Sequence, residues 1–276
     1  MKFVLGKVRS IRERCRHRLM ILHLQLLRVV YGQRPVPLSY WLAIRSVVRG
    51  FFRSPDPLFP PYASLQSTGA ALRLPELQQL LWNDMLGTWT IDRTTIELFW
   101  GKLQRDRPAV VIECGAGASS LILAKYAARF CSGPRGSWSV LSLEQDPQVK
   151  QTIERRLAQH GLSEHVKILH TPISESGRYQ LNPEELWEQL GTSKADWLLI
   201  DGPAGPEGCR VWTLTLLAKF CRPGARWFLD DALRDGELGI LREWCHVPGV
   251  SVEGIYPTGK GLGTGLIEDP QQVAAR

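Results

Sequence analysis

The chain has 276 residues, of which 44% are hydrophobic, and a formal net charge of +7. This length and apolar content suit a folded body of about 200 residues with an extension, or two small domains, and they exclude a disordered chain. Residues 1–53 hold twelve Lys or Arg and one acid, Glu13, for a local net charge of +11. Such a segment predicts contact with an acidic surface, such as lipid head groups or nucleic acid, and a solvated helix face is the alternative.

The first 31 residues predict a basic amphipathic helix. Residues 2–18 are rich in arginine, and the apolar run LMILHLQLLRVVY follows. His23, Gln25 and Arg28 interrupt that run, which argues against a membrane-spanning helix. We expect residues 1–31 to lie on an anionic membrane surface, so that a cytoplasmic protein becomes peripheral on a membrane. An organelle-targeting peptide and a partner-binding helix are the alternatives.

A linker and a catalytic domain are expected after this helix. Residues 32–75 are rich in proline, as in SPDPLFPPY, and predict an extended linker along the surface. Residues 76–276 form the expected domain, in which a helical pattern follows Leu74 and Asp92 caps a second amphipathic helix.

Strands and helices then alternate to the end of the chain, which is typical of a parallel sheet covered by helices. The predicted strands are 109–112, 140–143, 166–169, 197–200 and 226–229, followed by a hairpin of 250–256 and 263–268 around the turn PTGKGLG. The predicted helices between them run from Asp146 and Pro147 to Gly161, from Asn182 and Pro183 to Gly191, and from about Glu207 to Phe220, with Pro223 and Gly224 turning the chain into the fifth strand.

The most informative segment is VVIECGAGASS, residues 110–120, in which an apolar strand runs into a glycine-rich turn and then a helix. A second apolar strand ends on Glu144, in VLSLEQD. Gly115 and Gly117 let the backbone come close to a ligand, and the Glu144 carboxylate can accept hydrogen bonds from both ribose hydroxyls. Together these features predict a nucleoside-binding crevice.

The details of the turn narrow the choice of nucleoside. A dinucleotide site has GxGxxG, but Ser120 stands at the third glycine, and the phosphate-binding pattern GxxxxGK[ST] is absent. A carboxylate inside the turn, Glu113, suits a ligand with ribose but no phosphate, such as a sulfonium cation with an ammonium group. Cys114 is expected to be a small buried side chain rather than a nucleophile.

With these motifs the sequence resembles the class I S-adenosylmethionine (SAM)-dependent methyltransferases over about residues 89–268. The resemblance is carried by ECGAGASS, LSLEQD, the IDGP after the fourth strand and the FLDDA after the fifth. It is most similar to the catechol-type small-molecule O-methyltransferases and related methyltransferase-domain proteins, in which a strand-end acid precedes a helix start such as EQDP. The segment TWTID at 88–92 also matches the region that folds over the cofactor in that family.

The resemblance implies a fold and a cofactor site. The implied fold is an α/β, Rossmann-like, doubly wound and mostly parallel seven-stranded sheet with an antiparallel last strand, plus an N-terminal helical extension. Glu113, Gly115 and Gly117 are implied to line the methionine end of SAM, Glu144 to hold the ribose, and the loop 171–174 to flank adenine. A partner for the helix dipole is the alternative role of Glu113. The implied cofactor-binding residues are Glu113, Gly115, Gly117, Ser119, Glu144, Gln145, Ile173, Ser174 and Asp201.

The candidate catalytic residues are Asp201, Asp230 and Asp231, which follow the fourth and fifth strands and should converge at one sheet edge. Three carboxylates repel one another unless a positive group lies between them. In catechol-type enzymes the equivalent places hold a divalent ion, so the resemblance implies Mg²⁺ on these three residues.

Two departures from the family pattern keep other roles open. The third family ligand is usually Asn where this chain has Asp231, and the family's lysine base is missing from IDGPAGPEGCR. Asp201 or Asp230 as a general base and Asp231 as a helix cap are the alternatives. Arg234 and Glu237 either complete the site or form a surface pair.

We therefore expect methyl transfer from SAM to an oxygen of a small-molecule acceptor or of a lipid- or glycan-like one. A nucleic-acid methyltransferase is one alternative, because the basic N-terminus suits RNA, although IDGP lacks the [DNS]PP[YF] element of base-methylating enzymes. A non-catalytic membrane-associated scaffold of the same fold is the other.

Overall fold

The computed structural model describes residues 2–53, 56–59, 74–81, 90–131 and 139–275, with side chains described from residue 11 onward. The helices are α1 (Lys2–Tyr31), α2 (Leu38–Phe52), α3 (Pro75–Gln78), α4 (Arg93–Asp106), α5 (Ala118–Phe130), α6 (Pro147–Gln159), α7 (Pro183–Leu190), α8 (Val211–Leu217), α9 (Asp235–Trp244) and α10 (Pro270–Ala274), with 3-10 turns at Ser163–His165 and Ala218–Phe220. The strands are β1 (Val111–Cys114), β2 (Val140–Glu144), β3 (Val166–His170), β4 (Ala195–Ile200), β5 (Cys221–Leu229), β6 (Val250–Tyr256) and β7 (Leu262–Ile267).

The seven strands form one sheet in the order β3-β2-β1-β4-β5-β7-β6. The neighbouring pairs from β3 to β5 are parallel, and β7 runs antiparallel to both β5 and β6. The strand order reverses at β1, since β2 and β3 follow on one side of it and β4 and β5 on the other. The loops after β1 and β4 therefore leave the same edge of the sheet toward opposite faces. Open α/β sheets bind ligands in the crevice between such loops. The predicted doubly wound sheet, the hairpin and the antiparallel last strand are confirmed.

Two apolar cores cover the two faces of the sheet. Neighbouring residues of one strand belong to different cores, as Val111 and Ile112 do in β1, because successive side chains point to opposite faces. The core that includes Val111 packs against α3, α4, α5 and α6, and the core that includes Ile112 packs against the remaining helices. This burial on both faces explains why the central strands are apolar throughout.

Several helix ends lie where the sequence places them. Asp92, Asp146 and Asn182 each accept hydrogen bonds from backbone N–H groups in the first turn of α4, α6 and α7, as their cap positions predict. The predicted transition into the fifth strand is wrong, because Pro223 and Gly224 lie inside β5. There the pairing of β4 with β5 shifts register between Ala195 and Trp197, so the irregular part of the strand accommodates both residues.

The N-terminal helices pack onto this body. Met20, Leu24 and Leu27 of α1 are buried in the same core as Trp41 of α2, and Val36 pairs with Ile255 of β6 through two backbone hydrogen bonds of 2.9 Å. Residues 38–52, expected to belong to an extended linker, instead form α2, because the apolar run from Leu38 to Phe52 buries one face on the sheet edge. Residues 60–73 of the expected linker lie outside the described residues. A search of the described helices finds none that could span a membrane.

Candidate active site

A cavity of about 600 Å³ opens at the carboxyl ends of β1, β2 and β4. This volume lies within the roughly 300–1,000 Å³ that is usual for small-molecule sites. Of the predicted site residues, the cavity lining includes Gly115, Gly117, Ser119, Glu144, Gln145, Asp201 and Asp231. Thr90 and Ile91 of the predicted cofactor-covering segment also line it, whereas residues 88 and 89 lie outside the described residues.

The glycine turn brings bare backbone to the cavity wall. Gly115 has φ +91°, in the left-handed region that favours glycine, and a Cβ there would lie 3.1 Å from the backbone nitrogen of Gly202. The Ala116 N–H donates a hydrogen bond of 2.8 Å to Glu144 Oε2, which ties the turn to the end of β2. Gly115 therefore lets the turn pack closely against the loop that follows β4.

Glu144 is held in one orientation from both sides. Its Oε1 accepts from the Asp146 N–H at 2.8 Å, while Oε2 accepts from Ala116. Burial raises the pKa of this carboxyl, and these backbone N–H groups oppose the rise. Each carboxylate oxygen retains a second lone pair, so the side chain can still accept two ribose hydroxyls in the cavity.

Glu113 does not reach the cavity, contrary to the prediction that it lines the methionine end. It is fully buried, and its Oε2 accepts hydrogen bonds from Ser120 Oγ at 2.5 Å and from Ser142 Oγ at 2.7 Å. Ser120 Oγ in turn accepts from the Gly117 N–H at 3.0 Å. Burial raises the Glu113 pKa to about 7, although the serine hydroxyls lower it. Glu113 therefore supports the glycine turn from below.

The predicted adenine loop lies outside the cavity lining. Ile173 forms a bridge with Tyr179, and the Ser174 N–H donates to the Arg178 carbonyl, so the loop pairs with itself. Tyr179 lines the cavity instead. Gln145 exchanges two side-chain hydrogen bonds, of 2.9 and 2.8 Å, with the backbone of Ala204 in a neighbouring wall.

The three predicted carboxylates do converge. Asp201 follows β4, Asp230 and Asp231 follow β5, and one ligand oxygen from each lies within 4.8 Å of the others. Asp231 adopts φ +58°, which is uncommon for a residue with a side chain and turns its carboxylate into the group. Asp201 and Asp231 line the cavity, and Asp230 lies behind them.

Basic side chains of the same chain surround this carboxylate cluster. Lys260 Nζ lies 3.2 Å from Asp231 Oδ1, and Arg234 lies 2.8 Å from Asp231 Oδ2. Arg210 lies 3.4 Å from Asp201 Oδ1 and 3.7 Å from Glu237 Oε1. Arg234 and Glu237 both line the cavity.

The sequence does not predict Lys260 and Arg210 as site residues. Lys260 sits in PTGKGLG, where it is the one charged residue between glycines, and Arg210 follows IDGPAGPEGC. Neither pattern matches a motif, and only the fold brings both beside the acids.

The charged groups of the cluster shift one another's pKa values. Burial raises the pKa of Asp201 to about 6, with Arg210 lowering it and Asp231 raising it. Burial, together with Asp201 and Asp231, raises the pKa of Asp230 well above its ordinary value. Burial lowers the pKa of the Lys260 ammonium, but the three carboxylates outweigh this and the net shift is upward.

Comparisons with known proteins agree with this geometry. Residues 112–232 match a family described as a methyltransferase domain, and no curated protein matches the sequence significantly. The solved O-methyltransferase of Bacillus cereus in complex with S-adenosylhomocysteine (SAH) is 17% identical with a TM-score of 0.51, covering 83% of this chain and 99% of that one. TomG of Streptomyces achromogenes, an O-methyltransferase involved in tomaymycin synthesis and solved with SAM, is 16% identical with a TM-score of 0.51, over 74% and 94% of the chains. The SAH-bound methyltransferase PaMTH1 of Podospora anserina is 12% identical with a TM-score of 0.53, over 75% and 94%. At these identities the likeness shows a shared fold.

Proposed function

We propose that this chain, whose residues 112–232 match a methyltransferase-domain family, is a SAM-dependent methyltransferase that methylates an oxygen atom of a small-molecule acceptor. One observation carries the proposal: the lining of a single cavity includes both the glycine turn with Glu144 and the two acids Asp201 and Asp231. We call these the donor end and the cluster end. TomG, which shares the fold, is an O-methyltransferase involved in tomaymycin synthesis, and this supports oxygen as the acceptor atom.

The donor end fits SAM. When bound, SAM supplies a methyl group on a sulfonium sulfur, which is electrophilic. Gly115 and Gly117 line the cavity wall without side chains, and the fixed Glu144 carboxylate is placed to accept the ribose hydroxyls. The contacts proposed for Gly117, Ser119 and Gln145 follow from their place in the same wall.

The cluster end supplies a base for the acceptor hydroxyl. The acceptor oxygen attacks the methyl carbon, the carbon–sulfur bond breaks with its electron pair going to sulfur, and the hydroxyl proton leaves. We assign that proton to Asp201, which lines the cavity, is 22% exposed at its side chain and has one ion pair in the described part of the chain, from Oδ1 to Arg210. Both oxygens of Asp231 already face cations.

The residues of the cluster do not fit the divalent ion that the catechol-type resemblance implies. Mg²⁺ requires near-octahedral oxygen ligands at roughly 2.0–2.1 Å. In this chain Lys260 and Arg234 lie on the two oxygens of Asp231, and Arg210 lies on Asp201. The proposed proton transfer therefore relies on Asp201 and not on a metal ion.

Label transfer tests the proposal. The protein is incubated with SAM that carries a labelled methyl group and with a panel of catechols, simple phenols, hydroxylated lipids and total RNA. We expect label on hydroxyl compounds, and a large loss of transfer in Asp201→Asn with SAH binding retained. Label on RNA alone would favour the nucleic-acid alternative, and SAM binding without transfer to any class would favour the scaffold.

We also propose that the outward face of α1 contacts an anionic membrane surface. Ile11, Leu19, Leu22, Leu26 and Val29 are 52% to 82% exposed, and their spacing of three, four or eight residues places them on one side of the helix. Met20, Leu24 and Leu27 face the core on the opposite side.

The charge around this face favours lipid over a second copy of the chain. Arg12, Arg14 and Arg18 are exposed beside the apolar face, and Glu13 is the one acid between residues 1 and 53. A second copy would bring the same cations into contact, whereas anionic head groups neutralise them while acyl chains cover the leucines.

Vesicle co-sedimentation tests this face. Since α1 contributes to the core, point variants are preferable to deletion of residues 1–31. We expect Leu22→Ser with Leu26→Ser to bind phosphatidylserine vesicles at least roughly tenfold more weakly, because each buried leucine contributes about 1.5–3 kcal/mol. Gln25→Ser on the same helix is the control. Equal binding by both variants, or equal binding to neutral vesicles, contradicts the proposal.

A further inference from the structure

We propose that Lys260 is the resident cation of the Asp201–Asp230–Asp231 cluster and takes the place of a divalent metal ion in this protein. Lys260 lies behind the cavity wall and acts through Asp231, so it is a positioning residue. Its role in catalysis rests on the proposed methyl transfer, whereas its relation to metal ions can be tested on the protein alone.

The Lys260 ammonium is buried against the cluster. The residue is 3% exposed, and Nζ lies 3.2 Å from Asp231 Oδ1. A charged group so far from water requires compensation, and the carboxylates of Asp230 and Asp201 add to that of Asp231. The lysine therefore belongs to the cluster rather than to the surface.

The turn that carries Lys260 is clamped from one side by Asp92. The Gly259 and Lys260 N–H groups donate to the Asp92 carboxylate at 3.3 and 3.1 Å. The same carboxylate caps α4 by accepting from the N–H groups of Thr94 and Thr95. One side chain thus fixes both the start of a core helix and the position of the lysine.

The loop that carries Asp231 clamps the turn from the other side. The Leu233 N–H donates to the Lys260 carbonyl and the Ala232 N–H to the Gly261 carbonyl, each at 3.1 Å. Gly261 has φ +79°, and a Cβ there would lie 2.6 Å from Leu233 Cγ, so the two loops are in direct contact. These contacts hold the backbone of Lys260 beside the cluster.

The charge balance leaves little attraction for a divalent ion. Three cations, Lys260, Arg210 and Arg234, each lie within 3.4 Å of an oxygen of Asp201 or Asp231, and Arg210 is shared with Glu237 at 3.7 Å. A divalent ion bound there would be repelled by these cations. This repulsion would offset most of the attraction between the ion and the carboxylates.

Asp230 shows where a metal could bind if the lysine were absent. Both of its side-chain oxygens are buried and have no hydrogen-bond partner among the described residues. One of them lies within 4.8 Å of the ligand oxygens of Asp201 and Asp231. Removal of the Lys260 charge should leave this carboxylate uncompensated and open the cluster to a hard cation.

Metal titration of the purified protein tests the inference without an acceptor. Thermal unfolding and calorimetry are recorded with MgCl₂, MnCl₂ or CaCl₂ for wild type, Lys260→Gln and Lys260→Arg, with Lys150→Gln as a surface-lysine control. We expect millimolar metal to leave the wild type, Lys260→Arg and Lys150→Gln unchanged. We expect Lys260→Gln to bind one ion roughly tenfold or more tightly than wild type and to regain stability when it binds.

Two results would overturn the inference. One is binding of a single divalent ion by the wild type with micromolar affinity. The other is a folded Lys260→Gln that gains no metal affinity, which would make the lysine a structural residue only. If Lys260→Gln does not fold without metal, two measurements still test the inference: the wild-type titration, and refolding of the variant with and without Mn²⁺. Refolding that succeeds under both conditions, or under neither, contradicts the inference.

Once an acceptor is known, chelation extends the test to activity. The wild type should keep full transfer activity after exhaustive chelation. Lys260→Gln should lose kcat, keep its SAH affinity and regain part of its kcat with Mn²⁺. If no acceptor is ever methylated, the proposed function fails while the metal titration still stands.

Discussion

The two ends of the cavity are built in different ways. The donor end uses backbone groups and one carboxylate from the ends of the adjacent strands β1 and β2, within residues 113–146. The cluster end uses charged side chains from the ends of β4 and β5, the starts of α8 and α9, and the β6–β7 turn, spread over residues 201–260. Short-range backbone geometry fixes the donor end, whereas long-range charge compensation fixes the cluster end.

The largest expected effect concerns the buried support of the donor end. The folded state holds the Glu113 pKa at about 7, above its ordinary 4.5, so the carboxyl stabilises the fold fully below pH 4.5 and this contribution is lost as pH rises through 7. Chemical denaturation of wild type and Glu113→Gln at pH 5 and pH 7.5 measures this contribution to the unfolding free energy. Relative to wild type, Glu113→Gln should gain roughly 2.4 kcal/mol in unfolding free energy between these values. Equal pH slopes for both proteins would contradict the buried placement of Glu113.

A smaller effect is expected for the backbone of the donor end. Gly115→Ala should destabilise the fold by roughly 1–3 kcal/mol and abolish SAM binding, because φ +91° strains an alanine and its Cβ meets Gly202. Gly117→Ala is the matched control for stability, since φ there is −174° and a Cβ meets nothing within 4 Å. Unfolding midpoints and SAH titration compare the two variants. If both lose stability equally, close backbone approach is not what the turn provides.

Asp92 tests the clamp of the cluster end. Asp92→Ala should cost roughly 1–2 kcal/mol, because α4 loses its cap and the N–H groups of Gly259 and Lys260 lose their acceptor. Its SAH affinity should stay unchanged, which separates the two ends of the cavity. Asp92→Asn keeps a side-chain acceptor and should show a smaller loss. An equal loss of SAH affinity in both variants would indicate that the ends are not independent.

The smallest expected effect serves as a neutral reference. Gly101 lies inside α4, where a Cβ meets nothing within 4 Å, so Gly101→Ala should stabilise the protein by roughly 0.5–1 kcal/mol. Neither SAH affinity nor methyl transfer should change. A changed affinity would show that α4 reports on the cavity, and the variant would then be unsuitable as a stabilised background for the others.

The sequence predicts the donor end well because its signals are local. Gly115, Gly117 and Glu144 are each read from a strand followed by a turn, and the fold places them in one wall as expected. Glu113 is the exception in the same motif. Successive side chains of β1 point to opposite faces of the sheet, and the glycine-rich turn that follows does not show on which face Glu113 lies. Its serine partner Ser142 on β2 is visible only once strand pairing is known.

The cluster end is only half predictable. Asp201, Asp230 and Asp231 are readable as strand-end acids, and topology alone brings them together. Lys260 is 29 residues beyond Asp231 and Arg210 is nine residues beyond Asp201, with no periodicity that links either lysine or arginine to its acid. The same limit applies to α2. Its apolar face packs on the edge of the sheet, and the surrounding proline-rich sequence does not predict a helix there.

Calorimetric titration with SAH tests the central claim, that the glycine turn and Glu144 form the methyl-donor site. The wild type should bind one SAH per chain and show no heat with NAD. Glu144→Ala should bind SAH roughly ten- to a hundredfold more weakly, because it loses charge-assisted hydrogen bonds of about 1.5–3 kcal/mol to the ribose, while Glu154→Ala on the exposed side of α6 should match the wild type. Unchanged SAH affinity in a folded Glu144→Ala, or binding of NAD by the wild type, would contradict the account.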